Sequence, residues 1–190
     1  MFDSRRGDDA RDRSGDAREL SRGGRGGSDL HGRERVHPRD VFARHVDLPR
    51  GHQREHVHVH GREYMLRGSE ARTLSTVGAF RVARVDDLRD TFGKTLDPRQ
   101  GELWHLRESG LVGTVPLGRD VTALTLTKEG RDLLDSHWRE ARGPDRQAFH
   151  DGVQRPRELK HDAEVYRTYL HEVERLHEQG ANVHRVILET

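Results

Sequence analysis

Stretches with a two-residue apolar period alternate along the chain with stretches that have a helical period. Residues 55–60 (Glu-His-Val-His-Val-His) alternate strictly, which predicts a β-strand with one buried face. The dipeptide His60-Gly61 is typical of a turn, so residues 62–66 are expected to form a second strand and to close a hairpin. One helical turn is expected before this hairpin, around Phe42.

The stretch after the hairpin has helical spacing. Leu74 and Phe80 lie on one face of a helix predicted over 70–80. Residues 82–85 predict a short β-like link. Asp86 can then cap a second, shorter helix, which is predicted over 87–92.

The centre of the chain begins with a strong helix signal. Asp97 is a good N-cap and Pro98 suits the first helical position, which together predict a helix over 97–109. Gly110 follows as a residue able to close that helix. Its apolar face is expected to be formed by Leu103, Trp104 and Leu106.

Two β-branched runs follow this helix. Residues 112–115 and 121–126 predict extended strands joined by a turn at 116–120. Thr127 can cap a further helix. Its apolar positions are Leu133, Leu134 and Trp138.

The last third of the chain returns to polar and then helical patterns. Residues 142–157 are polar with interspersed Gly and Pro, which predicts a linker. An apolar stripe predicts a helix over 158–179, ended by Gly180, and the Val- and Ile-rich residues 182–189 predict a strand. The helix is expected either to be a dimerisation element or to begin a small α/β unit.

Composition limits how much of the chain can be buried, because 31% of its residues are hydrophobic and 35% are charged. The apolar residues concentrate after Tyr64, so residues 1–36 are expected to form a disordered tail. The repeat at 22–27 (Arg-Gly-Gly-Arg-Gly-Gly) resembles a nucleic-acid-binding RGG tail. The aspartates near it favour a plain solvated leader instead.

Charge and residue content exclude several classes of protein. The net charge is only +1, so a nucleic-acid surface must come from local segregation of charge. The absence of cysteine excludes disulfides, thiol nucleophiles and cysteine-ligated zinc. No apolar run reaches the roughly 20 residues that span a bilayer. A soluble cytoplasmic protein with no membrane partner is therefore expected.

The central helix, hairpin and helix resemble the second half of the winged helix-turn-helix in MarR- and PadR-like regulators. The motifs that carry this resemblance are L-x-x-x-G-L-V at 106–112 and L-T-x-x-G at 126–130. The resemblance implies an α+β fold with a winged helix-turn-helix domain over 67–141. An N-terminal β-hairpin extension over 37–66 and a C-terminal helix–strand extension over 158–190 would flank this domain.

In a winged helix the third helix enters the major groove and the wing reaches the flanking backbone. Outward residues of the helix are therefore expected to contact bases, since Arg can donate twice to guanine and Gln can pair with adenine. Phosphate contacts are expected just before the helix and at the wing tip. The expected DNA-binding residues are Lys94, Thr95, Arg99, Gln100, His105 and Arg119.

The first hairpin carries a pattern that could instead bind a metal. Strand alternation puts His56, His58 and His60 on one face, and imidazoles two residues apart can ligate Zn, Fe or Ni. No nearby carboxylate cluster completes such a site, so an exposed polar face is favoured. A metal-dependent enzyme that uses these histidines, or His161 with Asp162, is the alternative from another class.

The whole order of elements also resembles the replication-relaxation type of protein found on plasmids and integrative elements. The segment L-x-H-D-x-x-V-Y at 159–166 carries this second resemblance. It implies DNA binding in plasmid replication, mobilisation or the regulation of such an element, and it assigns no catalytic residue.

These patterns predict a non-enzymatic, sequence-specific protein that binds double-stranded DNA, most simply a transcriptional regulator. It would read DNA with the helix 97–109 and the wing 112–126. An accessory factor for replication or conjugative transfer is the alternative within DNA biology. A protein–protein module is a third class, which a neutral outward face on the third helix would support. No cofactor is expected. The protein is expected to form a homodimer.

Overall fold

The computed structural model describes residues 37–90, 93–139, 147–153 and 155–188, and the predicted tail at 1–36 lies outside the described residues. The described part is of mixed α+β class, as predicted. Its helices are α1 (Asp40–Ala43), α2 (Gly68–Phe80), α3 (Gly101–Glu108), α4 (Lys128–Ser136) and α5 (Leu159–Glu178). Its strands are β1 (Glu55–Val59), β2 (Arg62–Leu66), β3 (Ala83–Arg84), β4 (Val112–Pro116) and β5 (Thr122–Leu126).

The predicted N-terminal hairpin is confirmed. Strands β1 and β2 pair antiparallel, with Val57 opposite Tyr64. His60 and Gly61 form the turn with φ angles of 47° and 77°, the left-handed values that two-residue hairpin turns require. Val57 and Val59 are buried, whereas His56 and His58, which alternate with them, are exposed, as the pattern predicts.

The second sheet has three strands in the order β3-β5-β4. The hairpin β4–β5 is close to its predicted bounds, with Thr114 opposite Leu124. The two-residue strand β3 adds to the other side of β5, where Ala83 lies opposite Leu124. Both faces of β5 are covered, since Ala123, Leu124, Thr125 and Leu126 are all buried.

Helix α4 begins as its sequence predicts and lies close against β4. The Thr127 hydroxyl accepts a hydrogen bond from the Gly130 backbone N–H at 3.1 Å. A Cβ atom on Gly130 would lie 2.1 Å from the carbonyl oxygen of Leu111, the residue just before β4. The glycine of the L-T-x-x-G motif therefore allows a close approach of two backbones.

Helix α2 and the aromatic residues around its last turn form the centre of the core. Leu74, Val77 and Phe80 are buried, and the ring of Phe80 lies 5.0 Å from the rings of both Phe42 and Tyr166. The predicted long C-terminal helix is confirmed as α5, which packs on α2 and β3 of the same chain. Its stripe is buried at Ala163, Tyr166 and Val173.

The helix predicted over 87–92 is wrong over the described residues. A 3₁₀ turn occupies Val85–Asp87, and the chain then doubles back through an antiparallel bridge between Arg89 and Thr95. The Leu96 N–H donates to the Leu88 carbonyl at 3.0 Å. A six-residue helix gains little from its own hydrogen bonds, so the turn that buries Leu88 is preferred.

The strand predicted over 182–189 is also wrong in its described part. Residues 181–188 have no strand pairing, although Val186 and Leu188 pack against the core. A β-rich sequence forms a strand only beside another strand, because its backbone groups need partners. After α5 this segment instead runs over the core, where the Arg44 guanidinium donates to the His184 carbonyl at 2.9 Å.

The segment predicted as a linker, 142–157, contributes to the core in its described part. Phe149 is buried and packs edge-on against Trp138. The backbone on either side is held by hydrogen bonds, from the His150 N–H to Gly78 and from the Gly152 N–H to Leu126. One aromatic residue among polar neighbours is enough to anchor the segment, because it alone can bury a large apolar area.

Candidate nucleic-acid interface

Helix α3 starts three residues later than the cap signal predicts, because its N-cap is Gln100. Asp97 is not its N-cap: one carboxylate oxygen accepts from the Arg99 N–H at 2.8 Å and the other from the Gln100 side-chain amide at 2.9 Å. A short acidic side chain that bonds its own backbone two residues on forms a turn in competition with a helix. The helix begins at Gly101, whose φ of +66° turns the chain into its first residue.

The outward face of α3 is not the one that the sequence predicts. Glu102, Leu103 and Leu106 are the buried residues of this helix. The indole of Trp104, expected on the apolar face, is 45% exposed. Successive helical residues are rotated by about 100°, so Trp104 lies nearly opposite the centre of the buried face that Glu102, Leu103 and Leu106 form. The exposed positions of α3 are Gly101, Trp104, Arg107 and Glu108.

His105 points toward Glu70 in the protein, and its expected role at the DNA surface stays a prediction. Its Nδ1 atom lies 3.1 Å from a carboxylate oxygen of Glu70, and its side chain is 20% exposed. The Glu70 carboxylate is fully buried and also accepts from the Arg54 guanidinium at 2.6 Å and from the Arg67 N–H at 3.0 Å. The hydrogen bond to Glu70 raises the pKa of Arg54. This Glu70 cluster joins the start of α2, the base of the first hairpin and α3.

A second buried polar chain fixes α3 on its other flank. The Arg39 guanidinium donates to the Thr73 hydroxyl at 2.6 Å, and that hydroxyl in turn donates to the Glu102 carboxylate. Arg39 also donates to the carbonyl of Arg89, in the turn before α3. Burial lowers the pKa of Arg39, against the attraction of Tyr166 and Glu102.

Neither cluster is predicted by the residue pattern. The only local signal is Glu70, which stands three residues after the N-cap of α2, the spacing of a capping box. Charged residues are rarely buried unless they are paired, and the partners of Glu70 and Glu102 come from distant parts of the chain. The pairing is therefore visible only in the tertiary structure.

The exposed basic side chains near α3 have no ion-pair partner among the described residues. This applies to Lys94, Arg99 and Arg119. The nearby carboxylates of Asp90 and Asp97 accept backbone N–H groups, from Lys94 and Arg99 respectively, both within 2.9 Å. The free cationic groups are thus available to an external anion, while these acids are already partly engaged.

The structure brings together only some of the residues expected to bind DNA. Lys94, Thr95 and Gln100 line one groove of about 850 Å³, which also includes Asp120 beside the wing tip. Thr95 accepts a hydrogen bond from the Arg89 guanidinium, and Gln100 donates to Asp97. Arg99 and Arg119 are exposed outside this groove, and His105 belongs to the Glu70 cluster.

The histidine-rich hairpin carries a carboxylate close to two of its imidazoles. His56 and His58 both contact one oxygen of Glu63 on the facing strand, His58 at 3.2 Å. His60 lies in the turn. Within the described part of the chain, no group of three or more His, Asp or Glu residues has the arrangement to hold a metal ion.

Comparison with known proteins gives no family model, no curated protein and no solved structure that matches this chain. The resemblances to winged-helix regulators and to replication-relaxation proteins therefore stay predictions. Among the described helices, none is both long and apolar enough to cross a membrane.

Proposed function

We propose that residues 67–141 are a winged-helix domain that binds double-stranded DNA. The observation that carries this proposal is the pairing of β3, which lies between α2 and α3, with β5, the second strand of the hairpin that follows α3. The order of helix, short strand, helix, hairpin and helix, with this strand pairing, supports the proposal. The proposal takes the 3₁₀ turn at Val85–Asp87 as the counterpart of the second helix of that fold.

The charges around α3 support DNA as the partner. Lys94 and Arg99 precede the helix and Arg119 is at the tip of the β4–β5 hairpin, all exposed. We assign Lys94 and Thr95 to phosphate, Arg99 and Gln100 to base edges, and Arg119 to the flanking backbone. Gln100 can reach a base only by giving up its hydrogen bond to Asp97.

A transcriptional regulator is the simplest use of such a domain, and an accessory role in replication or transfer of a mobile element is the alternative. We expect a homodimer, because a two-fold protein matches a palindromic site. The dimer interface would lie elsewhere than the apolar stripe of α5, since the same chain already covers Ala163, Tyr166 and Val173.

The test is selection of duplexes from a random library and from the gene's own neighbourhood, followed by binding measurements at two salt concentrations. The double variant Arg99→Ala/Gln100→Ala should weaken binding to the enriched duplex by about ten-fold or more, since one base-reading pair is worth about 1–3 kcal/mol. The matched control is Arg157→Ala/Gln179→Ala, which removes the same exposed residue types next to the two ends of α5.

The salt dependence separates a sequence reader from an accessory factor. If the wild-type protein retains one duplex over random competitor, and only the double variant loses this preference, the result supports a regulator or origin-binding protein. Weak binding that is blind to sequence and falls steeply with salt indicates backbone contacts only. Absence of binding at low salt contradicts the proposal.

One observation favours a second candidate, a protein-interaction module. The exposed face of α3 is electrically neutral, because Arg107 and Glu108 approach each other at 3.5 Å, and it carries an exposed tryptophan. Tryptophan and arginine are enriched among the residues that dominate protein interfaces. Failure of every duplex to bind, with a Trp104-dependent protein partner recovered instead, would favour this module.

A further inference from the structure

We propose that a cavity beside the start of α2 binds a small carboxylate that carries an apolar body. The cavity has a volume of about 340 Å³, which is in the size range of small-molecule sites. Its lining comes from α1, from the segment 44–50 and from residues 68–75 of α2. The described residues that line it include none of those expected to bind DNA, so the inference does not depend on the proposed function.

Backbone contacts hold the walls of the cavity in place. Val46 forms an antiparallel bridge with Trp138, which fixes the middle of the segment 44–50. The Gly68 N–H donates to the Gly51 carbonyl at 2.8 Å, and a Cβ atom on Gly68 would lie 2.3 Å from the Arg50 carbonyl oxygen. The missing side chain at Gly68 therefore lets this segment lie directly against the start of α2. The cavity is formed by the fold itself, as sites for small molecules usually are.

Much of the cavity lining is apolar. Val46, Leu48 and Ala71 are buried, and Ala43 and Pro49 are half-buried. Apolar side chains gain free energy when an apolar group replaces the water in contact with them. The lining therefore favours a ligand with an apolar body over a bare inorganic ion.

The charged side chains that line the same cavity favour an anion. They are three arginines and one aspartate, which together give a formal charge of +2. Arg72 is paired with Asp40. The Arg44 guanidinium donates to the His184 carbonyl and the Arg50 guanidinium to the Arg44 carbonyl, both at 2.9 Å. A carbonyl does not neutralise a positive charge, so Arg44 and Arg50 have no ion-pair partner within the described part of the chain.

The hydrogen-bonding capacity of the two arginines identifies the anionic group. Each guanidinium has five N–H donors in a planar fork, and the contacts to carbonyls use one of them at Arg44 and one at Arg50. The remaining donors match the two oxygens of a carboxylate. Phosphate can use the same fork, but the apolar lining contributes nothing to the binding of a bare phosphate. Charge and lining together select a carboxylate on an apolar body.

The experiment titrates hexanoate into the full chain and follows backbone amide chemical shifts by NMR. The shifts should change at 43–50 and 68–75, the two walls of the cavity. Each methylene added between butanoate and hexanoate should strengthen binding about three- to four-fold, the equivalent of about 0.8 kcal/mol for one buried CH₂ group. Acetate lacks the apolar body and 1-hexanol lacks the charge, so each should bind at least about ten-fold more weakly than hexanoate.

The double variant Arg44→Ala/Arg50→Ala should weaken hexanoate binding about ten-fold and leave 1-hexanol binding unchanged, since it removes only the charged partners. The matched control is Arg119→Ala/Arg157→Ala, which removes two exposed arginines that do not line the cavity and should keep the wild-type affinity. Thermal melting of each variant checks its fold.

Three results would overturn the inference, and the first two need no variant. They are shift changes that lie outside the two walls, binding of 1-hexanol or inorganic phosphate as tight as that of hexanoate, and full hexanoate affinity in the Arg44→Ala/Arg50→Ala protein. Each of these results leaves the proposed DNA binding untouched, because the duplex measurements are made without the carboxylate.

Discussion

At the scale of single residues, two glycines permit backbone arrangements near α3 that other residue types would disfavour. Gly101 begins the helix with φ +66°, a value that costs other residues about 1–2 kcal/mol. Gly130 has an ordinary φ angle. Its lack of a side chain instead leaves room for the Leu111 carbonyl. The same residue type therefore solves a conformational problem at one site and a packing problem at the other.

Replacement of Gly130 by Ala should destabilise the protein by about 1–3 kcal/mol. The added methyl would start 2.1 Å from the Leu111 oxygen, so α4 must move away from β4, and such overpacking is costly. Urea unfolding measures the change. Gly118→Ala is the control, because nothing lies within 4 Å of a Cβ atom there. Equal stability of the two variants would contradict the close approach.

At the scale of elements, α3 is held by buried charged groups as well as by its short apolar face. Only Leu103 and Leu106 are buried apolar residues of this eight-residue helix. The Glu70 cluster and the Arg39–Thr73–Glu102 chain add polar contacts on either flank. Such pairs constrain position because each group must keep its partner once it is removed from water.

Glu70→Ala should therefore destabilise the fold by about 3 kcal/mol, since it leaves the Arg67 N–H and the inner face of Arg54 without their acceptor. Chemical denaturation followed by circular dichroism gives the value. Glu63→Ala removes a carboxylate of the exposed hairpin face and should change stability by less than about 1 kcal/mol. A Glu70→Ala protein as stable as Glu63→Ala would show that the buried cluster contributes nothing.

At the scale of the whole molecule, the segment at 37–39 ties distant parts of the fold together. The Tyr169 hydroxyl of α5 donates to the Pro38 carbonyl at 2.6 Å, and Arg39 reaches α2 and the turn before α3. Burial, with the nearby charges of Arg39 and Arg72, lowers the pKa of His37 to about 4. This part of the fold therefore holds a neutral imidazole.

Global stability should fall as the pH drops from about 6.5 toward about 4, because the unfolded chain then binds a proton that folded His37 excludes. Above pH 6.5 this effect vanishes. Burial also lowers the pKa of His150, so part of the decline has a second source. Thermal melting between pH 4 and pH 8 should show a smaller decline for His37→Asn, whose side chain can still accept the Arg39 N–H.

His52→Asn provides the comparison for that measurement, because His52 is exposed. Its melting profile should follow the wild-type profile across the same pH range. An identical acid decline in His37→Asn and wild type would exclude His37 as a source of the pH dependence.

Local periodicity alone determined most of the secondary structure. The two hairpins, α2, α4 and α5 follow from patterns that repeat every two or every 3.6 residues, since each needs only one buried face. The failures came where an element depends on a distant partner. Residues 182–188 have a β-rich composition but pair with no strand in the described part of the chain, and Phe149 makes a core segment of a polar stretch.

The candidate interface also contains residues whose exposure follows from the sequence and residues whose exposure depends on tertiary packing. The sequence by itself determined that Lys94, Arg99 and Arg119 are exposed, because charged side chains before a helix and at a hairpin tip need no partner to remain in water. The tertiary structure alone decided that His105 turns inward to Glu70 and that Trp104 faces out. Helix α3 begins at Gly101 and not directly after Asp97, which changes the residues that contact α2. Only that packing decides whether the tryptophan lies in the core or is exposed.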